Sequence, residues 1–320
     1  MRRWVLLAAV LCVAAGIGAT LAWRRLDVPG PLPADRAIVV PAGTTAQLAT
    51  ALTDAELVAR PLEFRLAAWV TRNDAALRPG EFAFPAHASL RQILTILRTA
   101  RRVQHRITIP EGLTAAQIAR LLDRTDILDG DLLLPAEGAV LPQTYAFERG
   151  TLRTVLLERM IAAMDKQRDE IWAGRAQGLP LADPAEMVTL ASLVERETAR
   201  PEERAHVAAV FFNRLRLGMR LQSDPTVAYV ASFGLGSLDH PITRAELDHI
   251  NLYNTYRIAG LPPGPIASPG LASLRAVAQP IASDDLYFVA DRAGGHSFAR
   301  TLEDHNRNVA RLRAQAPARK

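Results

Sequence analysis

An α+β protein is predicted by three features of the 320-residue sequence: an uncharged stretch near the start, short strand-turn-helix units after it, and a later half of helices, Gly-Pro turns and a final strand. Apolar residues make up 49% and charged ones 22%, enough for more than one packed core. Cys12 is the only cysteine, which excludes an internal disulfide framework and any zinc site built on paired cysteines. Of 38 basic residues, Arg2, Arg3, Arg24 and Arg25 flank the first stretch, and the remaining 34 face 33 acidic ones. That near-neutral body, with 6% aromatics, argues against a nucleic-acid partner.

Trp4–Trp23, WVLLAAVLCVAAGIGATLAW, has no charge. As a helix rising about 1.5 Å per residue it matches the roughly 30 Å of bilayer hydrocarbon, and its terminal tryptophans suit the two interfaces. Residues 1–25 are therefore expected to form a cytoplasmic stub and single transmembrane anchor, with the rest of the chain exported. The rival is a cleaved signal ending at Thr20-Leu21-Ala22. Residues 26–36 read as a linker, stiffened by the prolines of Asp27–Asp35.

Residues 37–136 hold a weak repeat. Ile38–Ala46 and Ile107–Ala115 each give a strand, a Pro-x-Gly turn and a threonine before a helix, over Gln47–Leu52 and Gln117–Leu122. Between them, Arg78–Phe84 and Ser89–Leu97 repeat the scheme, with Leu90, Ile93, Leu94 and Leu97 on one face. Such units serve either as a structural pedestal or as saccharide-binding modules. The composition changes near Ala136, and a second domain is expected over 137–313, followed by a polar tail over 314–320.

Within the second domain, Asp183-Pro184-Ala185-Glu186 is a helix start, with a cap, a proline at the first position and an acid at the third. At 100° per residue Glu195 returns to the apolar face, whereas Glu197 falls opposite Val188, on the expected solvent side. A carboxyl on an apolar stripe is either a general acid with a raised pKa or one half of an ion pair, with Arg214 or Arg220 as the partner. Pro201-Glu202-Glu203 starts a second helix, ended by Gly218, that leads into Leu221–Val227 and Tyr253–Tyr256. Gly260–Gly270, with four prolines and three glycines, forms a stiff loop that lets a ligand approach the backbone. His296 and His305 have no further ligand at metal spacing, and phosphate-loop, dinucleotide and serine-hydrolase fingerprints are absent from the sequence, so no metal or cofactor is implied.

The ordered series Leu141–Tyr145, Ala191–Thr198, Phe212–Leu215, Leu221–Val227, Tyr253–Tyr256, Gly260–Gly264, Tyr287–Ala290, Gly294–Phe298 and His305-Asn306 resembles the YceG-like family over nearly the whole chain. The resemblance implies a membrane-anchored peptidoglycan lytic transglycosylase, with LysM-like modules ahead of the catalytic domain. It would face the periplasm from a bacterial inner membrane. Such an enzyme cuts the β-1,4 bond between N-acetylmuramic acid and N-acetylglucosamine within nascent glycan strands, leaves a 1,6-anhydro end, and limits strand length beside the peptidoglycan synthases. The resemblance places the catalytic glutamate on Glu195. Gln222, Ser223, Asp224, Thr226, Asn254, Thr255, Tyr256, His296 and Asn306 are the expected substrate contacts. One carboxyl suffices if the muramic C6 hydroxyl supplies the nucleophile; a hydrolase would need a second acid, for which Asp224 is the candidate. A non-catalytic wall-binding anchor is the remaining alternative.

Overall fold

The computed structural model describes residues 2–314. The architecture is mixed α+β, as expected, and divides into two compact units. One holds the chain up to His105 together with Ala146–Arg149; the other holds Arg106–Tyr145 and the chain from Gly150 onward.

The first unit starts with helix α1 (Arg2–Arg25). Strand β1 (Arg36–Val40) follows, then α2 (Thr45–Asp54), α3 (Pro61–Val70), β2 (Gly80–Phe84) and α4 (Leu90–Thr99). β1 and β2 pair antiparallel with Ile38 opposite Phe82, and their inward side chains pack with Leu48, Leu52, Phe64, Ile93, Leu94 and Leu97. Both helices that follow a strand here, α2 and α4, start by one device: Thr44 caps Gln47 and Ser89 caps Gln92, with the glutamine reaching back in each case. α3 starts at Pro61, a proline at the first helical position, and was not anticipated above.

Strands β3 (His105–Thr108) and β4 (Thr144–Phe147) pair with each other. α5 (Ala115–Asp123) repeats the capping box through Thr114 and Gln117. The motif-based boundary at residue 136 is displaced, because this β-α unit is tied into the second body. Gly112 N–H donates to the Ser268 carbonyl at 2.9 Å, Ser268 N–H to the Leu113 carbonyl at 2.8 Å, and Ala115 N–H to Glu137 at 2.9 Å.

The second unit is built on α7 (Pro184–Glu197), α8 (Arg204–Arg216) and α11 (Leu271–Ala278), with α6 (Arg153–Ala173) against them. Leu190, Leu193, Val207, Phe211, Leu274 and Val277 form the centre of its core. α9 (Asp224–Ala231) and the short α10 (Arg244–Asp248) follow α8. The hairpin β5 (Tyr287–Ala290) and β6 (His296–Ala299) carries Phe288, which meets Phe211 edge-on at 5.8 Å; α12 (Leu302–Ala314) packs against both strands.

Two expectations exceed what this architecture shows. Trp4–Trp23 is one helix, yet among the described residues no helix is long and apolar enough to cross a membrane. The LysM-like character of residues 37–136 is likewise not established; what is observed is a β-α-α-β-α unit followed by a β-α unit that belongs to the other body. Apart from Ala314, the polar tail lies outside the described residues.

Candidate active site

α7 is the axis of the site. Asp183 caps it by accepting from the Glu186 N–H at 2.9 Å, and Met187 through Val194 are all buried, so the helix has no solvent face over two turns. This overturns the expectation for Glu197. A helical wheel assigns one side to water only when neighbours cover the other side alone; here neighbours cover both sides from Met187 to Val194, and Glu197, one turn further on, is half-buried.

The Glu197 carboxyl meets the turn ahead of α9. Ser223 Oγ donates to its Oε1 at 2.5 Å. Burial is the main force on this group and pushes its pKa up to about 7; the Ser223 hydrogen bond opposes the rise, the Asp224 charge adds to it and the Arg214 charge opposes it. Asp224 is exposed and accepts from the Tyr256 hydroxyl at 2.5 Å. Burial, then that bond to Asp224, raises the Tyr256 pKa. Glu197, Ser223, Asp224 and Tyr256 thus form one polar constellation at the end of α7.

Its support is equally specific. Gln222 adopts φ 51°, a left-handed conformation costly for a residue with a side chain, and this turn delivers Ser223 and Asp224. Ser223 N–H donates to Thr255 Oγ1 at 2.9 Å, and Thr226 Oγ1 donates to the Ser223 carbonyl at 2.7 Å. Asn254 is buried and gives its amide to the carbonyls of Glu246, Leu247 and His249. Thr226 and Thr255, expected as substrate contacts, are buried and hydrogen-bonded to the turn, whereas Asn254, expected likewise, is buried and bonded to the end of α10. Gln222 is exposed.

Arg214 lies buried under the same region. Its guanidinium donates to the carbonyls of Leu286 (2.6 Å), Leu221 (2.8 Å) and Arg220 (3.3 Å), and sits 5.3 Å from the Tyr287 ring centre. Tyr287 in turn stacks on His305, whose Nδ1 is buried without a hydrogen-bond partner. Burial first, and then the Arg214 charge, lowers the His305 pKa.

Glu195 lies on the apolar side as expected, its side chain only 5% exposed, but it is tied at both oxygens. Arg204 Nη2 donates to Oε1 at 2.9 Å and Gly270 N–H donates to Oε2 at 2.9 Å. Arg204 is itself buried and also pairs with Glu111 at 3.4 Å. Glu195 therefore joins α7 to the starts of α8 and α11. The ion-pair alternative holds for this residue, with Arg204 in place of Arg214 or Arg220. His296 is engaged elsewhere: its Nδ1 lies 2.7 Å from Glu203, and its N–H donates to the same carboxylate at 3.0 Å. That contact holds the Glu203 carboxyl below its ordinary pKa against the opposing effect of burial. Asn306 is exposed on α12.

Of the expected residues, the structure gathers Ser223, Asp224 and Tyr256 around a carboxyl; that carboxyl is Glu197 rather than Glu195. Sequence reasoning missed Arg204 as a buried partner and named Arg214 as a partner for Glu195, whereas Arg214 grips backbone carbonyls of Leu221 and Leu286. The available signal for Glu197 was a second glutamate two residues on in Glu195-Arg196-Glu197, at the end of a helix whose preceding eight residues contain no charge.

The chain belongs to the YceG-like family, whose pattern matches residues 38–311. An endolytic murein transglycosylase of Streptococcus pneumoniae is 37% identical over 202 residues, which is 61% of this chain and 35% of the relative. One of Bacillus subtilis is 36% identical over 185 residues, which is 57% of this chain and 49% of the relative. This chain thus spans less than half the length of each. A crystal structure of a YceG-like protein from Listeria monocytogenes has a TM-score of 0.52 at 29% identity, covering 86% of this chain and 99% of the other.

Proposed function

We propose that the protein is a peptidoglycan lytic transglycosylase in which Glu197 moves the proton. The observation that carries this reading is a desolvated carboxyl with a pKa of about 7, between Ser223 and Asp224, in a chain similar to endolytic murein transglycosylases. A general acid works best when its pKa lies near the working pH. Glu197, protonated, donates to the glycosidic oxygen between N-acetylmuramic acid and N-acetylglucosamine as the C1–O bond breaks. As carboxylate it then takes the proton of the muramic C6 hydroxyl while that oxygen bonds to C1, which closes the 1,6-anhydro ring and returns Glu197 to its acid form. No water is consumed. Asp224 lends negative charge that keeps the Glu197 proton on, and Tyr256 holds Asp224 in place.

On this reading the substrate is the interior of nascent glycan strands, and cutting them ends elongation beside the synthases. Trp4–Trp23 holds the chain in a bacterial inner membrane with the folded part in the periplasm. What supports the anchor is the uncharged sequence and the exposure of Val10, Leu11, Val13, Ile17 and Leu21 along α1.

A second reading has a specific observation behind it: Asp224 beside Glu197 supplies the two carboxyls that a hydrolase requires. Mass spectrometry of glycan strands treated with the purified full-length protein separates the two. Anhydro-ended fragments are expected; fragments heavier by one water, with reducing ends, establish the hydrolase. Wall binding without cleavage establishes the non-catalytic anchor.

A further inference from the structure

The first unit carries an apolar surface that the proposed reaction does not use. α3 is apolar on two sides. Phe64, Ala67 and Ala68 face the core, whereas Leu62, Leu66, Trp69 and Val70 are exposed at 61%, 55%, 63% and 56%. At about 100° per residue those four share one face of the helix, bordered by Arg65. A helix that has satisfied its core contacts and still shows four large hydrophobic side chains has an unfilled partner.

The chemistry of that partner follows from what surrounds the face. Leu66, Ala67 and Val70 line a hollow of about 410 Å³ together with Trp23, Arg25 and Leu26, so the surface runs without a break onto the end of α1. Along α1 it continues through the exposed Leu21, Ile17, Val13, Leu11 and Val10. Its rim is rich in arginine: Arg24, Arg25, Arg60, Arg65 and Arg72 are exposed, and of the acids beside them Glu63 pairs with Arg60 and Asp27 with Arg91. The arginines also cover the tryptophans. Arg72 lies 4.8 Å from the Trp69 ring centre and Arg91 lies 4.9 Å from that of Trp23. Tryptophan with a guanidinium beside it, bordering acyl-like surface, is the pattern of the headgroup layer of an anionic membrane.

We propose that α3 is a second membrane contact, with Leu62, Leu66, Trp69 and Val70 seated at the headgroup–acyl boundary of a bilayer containing anionic phospholipid, next to the point where α1 enters. The proposal rests on the anchor reading of α1. Two attachments, one transverse and one lying flat, fix the tilt of the first unit, which a single span leaves free to swivel.

The test uses the full-length protein in vesicles of phosphatidylethanolamine and phosphatidylglycerol, with an environment-sensitive fluorophore on one cysteine at a time. The native Cys12 reports α1. Leu66→Cys in a Cys12→Ser background reports α3, and Arg311→Cys in the same background is the aqueous control. Lipids carrying a quencher shallow or deep in the acyl chain are added in turn. The expected result is quenching at position 12 by the deep label, and a blue shift with quenching at position 66 by the shallow one. Replacement of phosphatidylglycerol by phosphatidylcholine should weaken the signal at position 66. If position 12 is quenched and position 66 behaves like position 311, the α3 contact is refuted while the anchor stands. If position 12 is not quenched, both fail. A blue shift at position 66 without lipid quenching assigns the face to a protein and overturns the proposal.

Discussion

Two carboxyls leave the last turn of α7 two residues apart and enter different surroundings. Glu195 enters the packed junction of α7, α8 and α11, where a buried arginine and a backbone N–H occupy it. Glu197 enters a turn that gives it one hydroxyl, one neighbouring carboxylate and little water. Both are sheltered, so shelter alone does not mark a proton carrier. The difference lies in the partners: a group that fixes charge makes a structural tie, and a group that opposes charge makes an acid.

The largest expected effect separates the two directly. Glu197→Gln should reduce turnover by on the order of 10²- to 10⁴-fold with the fold intact. Glu195→Gln should leave the turnover of the folded protein within about tenfold while lowering Tm. Measuring kcat and Tm for both variants decides the assignment, and the reverse outcome returns it to Glu195.

Arg204→Met leaves Glu195 without its cation and should cost about 3–5 kcal/mol in denaturant unfolding, because an unpaired carboxylate remains buried. Adding Glu195→Leu should recover part of that loss. No recovery would mean that the pair is not the source of the cost.

A third effect is in pH dependence. The folded pKa of Glu197 lies above the ordinary carboxyl value of 4.5, at about 7, so the folded state favours the proton. Keeping Glu197 buried therefore costs nothing at pH below its unfolded pKa, costs more as pH rises towards 7, and levels off above it. Relative to wild type, Glu197→Gln should gain stability across that window, by on the order of 3 kcal/mol at the upper end, and gain nothing at pH 4. Equal stability curves would show that the carboxyl is well solvated.

The smallest shifts concern tuning. Ser223→Ala removes a bond that lowers the Glu197 pKa, so the alkaline limb of the rate profile should move up. Asp224→Asn removes a repulsion, so it should move down, each by about one pH unit or less. Movement of both in one direction would break the proposed division of roles.

Much of this molecule was legible because helix starts are written locally. Asp183-Pro184 and the threonine that leads into Gln117 each announce a helix whose capping atoms lie within three residues, and Pro201 opens a single 3-10 turn that leads into α8 without a side-chain cap. What was not legible depends on distant sequence. The partial burial of Glu197 is decided by Ser223, 26 residues further on, and by neighbours that cover α7 from Met187 to Val194. The compact units part near residue 105 rather than at the compositional change near 136 for a similar reason: Ser268 and Glu137 hold the β3-α5 unit, and neither is visible from its composition. α3 went unread although Pro61 marks its start, because its two apolar sides give no single stripe.

Arg214 has a consequence for how the protein meets successive substrates. On the proposed function, a cation with free donors would swing towards each arriving acetamido or peptide carboxylate, and its field at Glu197 would then change with the cargo. With carbonyls from two separate stretches of chain gripping the guanidinium, the positive charge is a permanent fixture, insensitive to what binds beside Glu197. Lysine could preserve the charge there but not the grip, since one ammonium lacks the planar reach to hold Leu221 and Leu286 together.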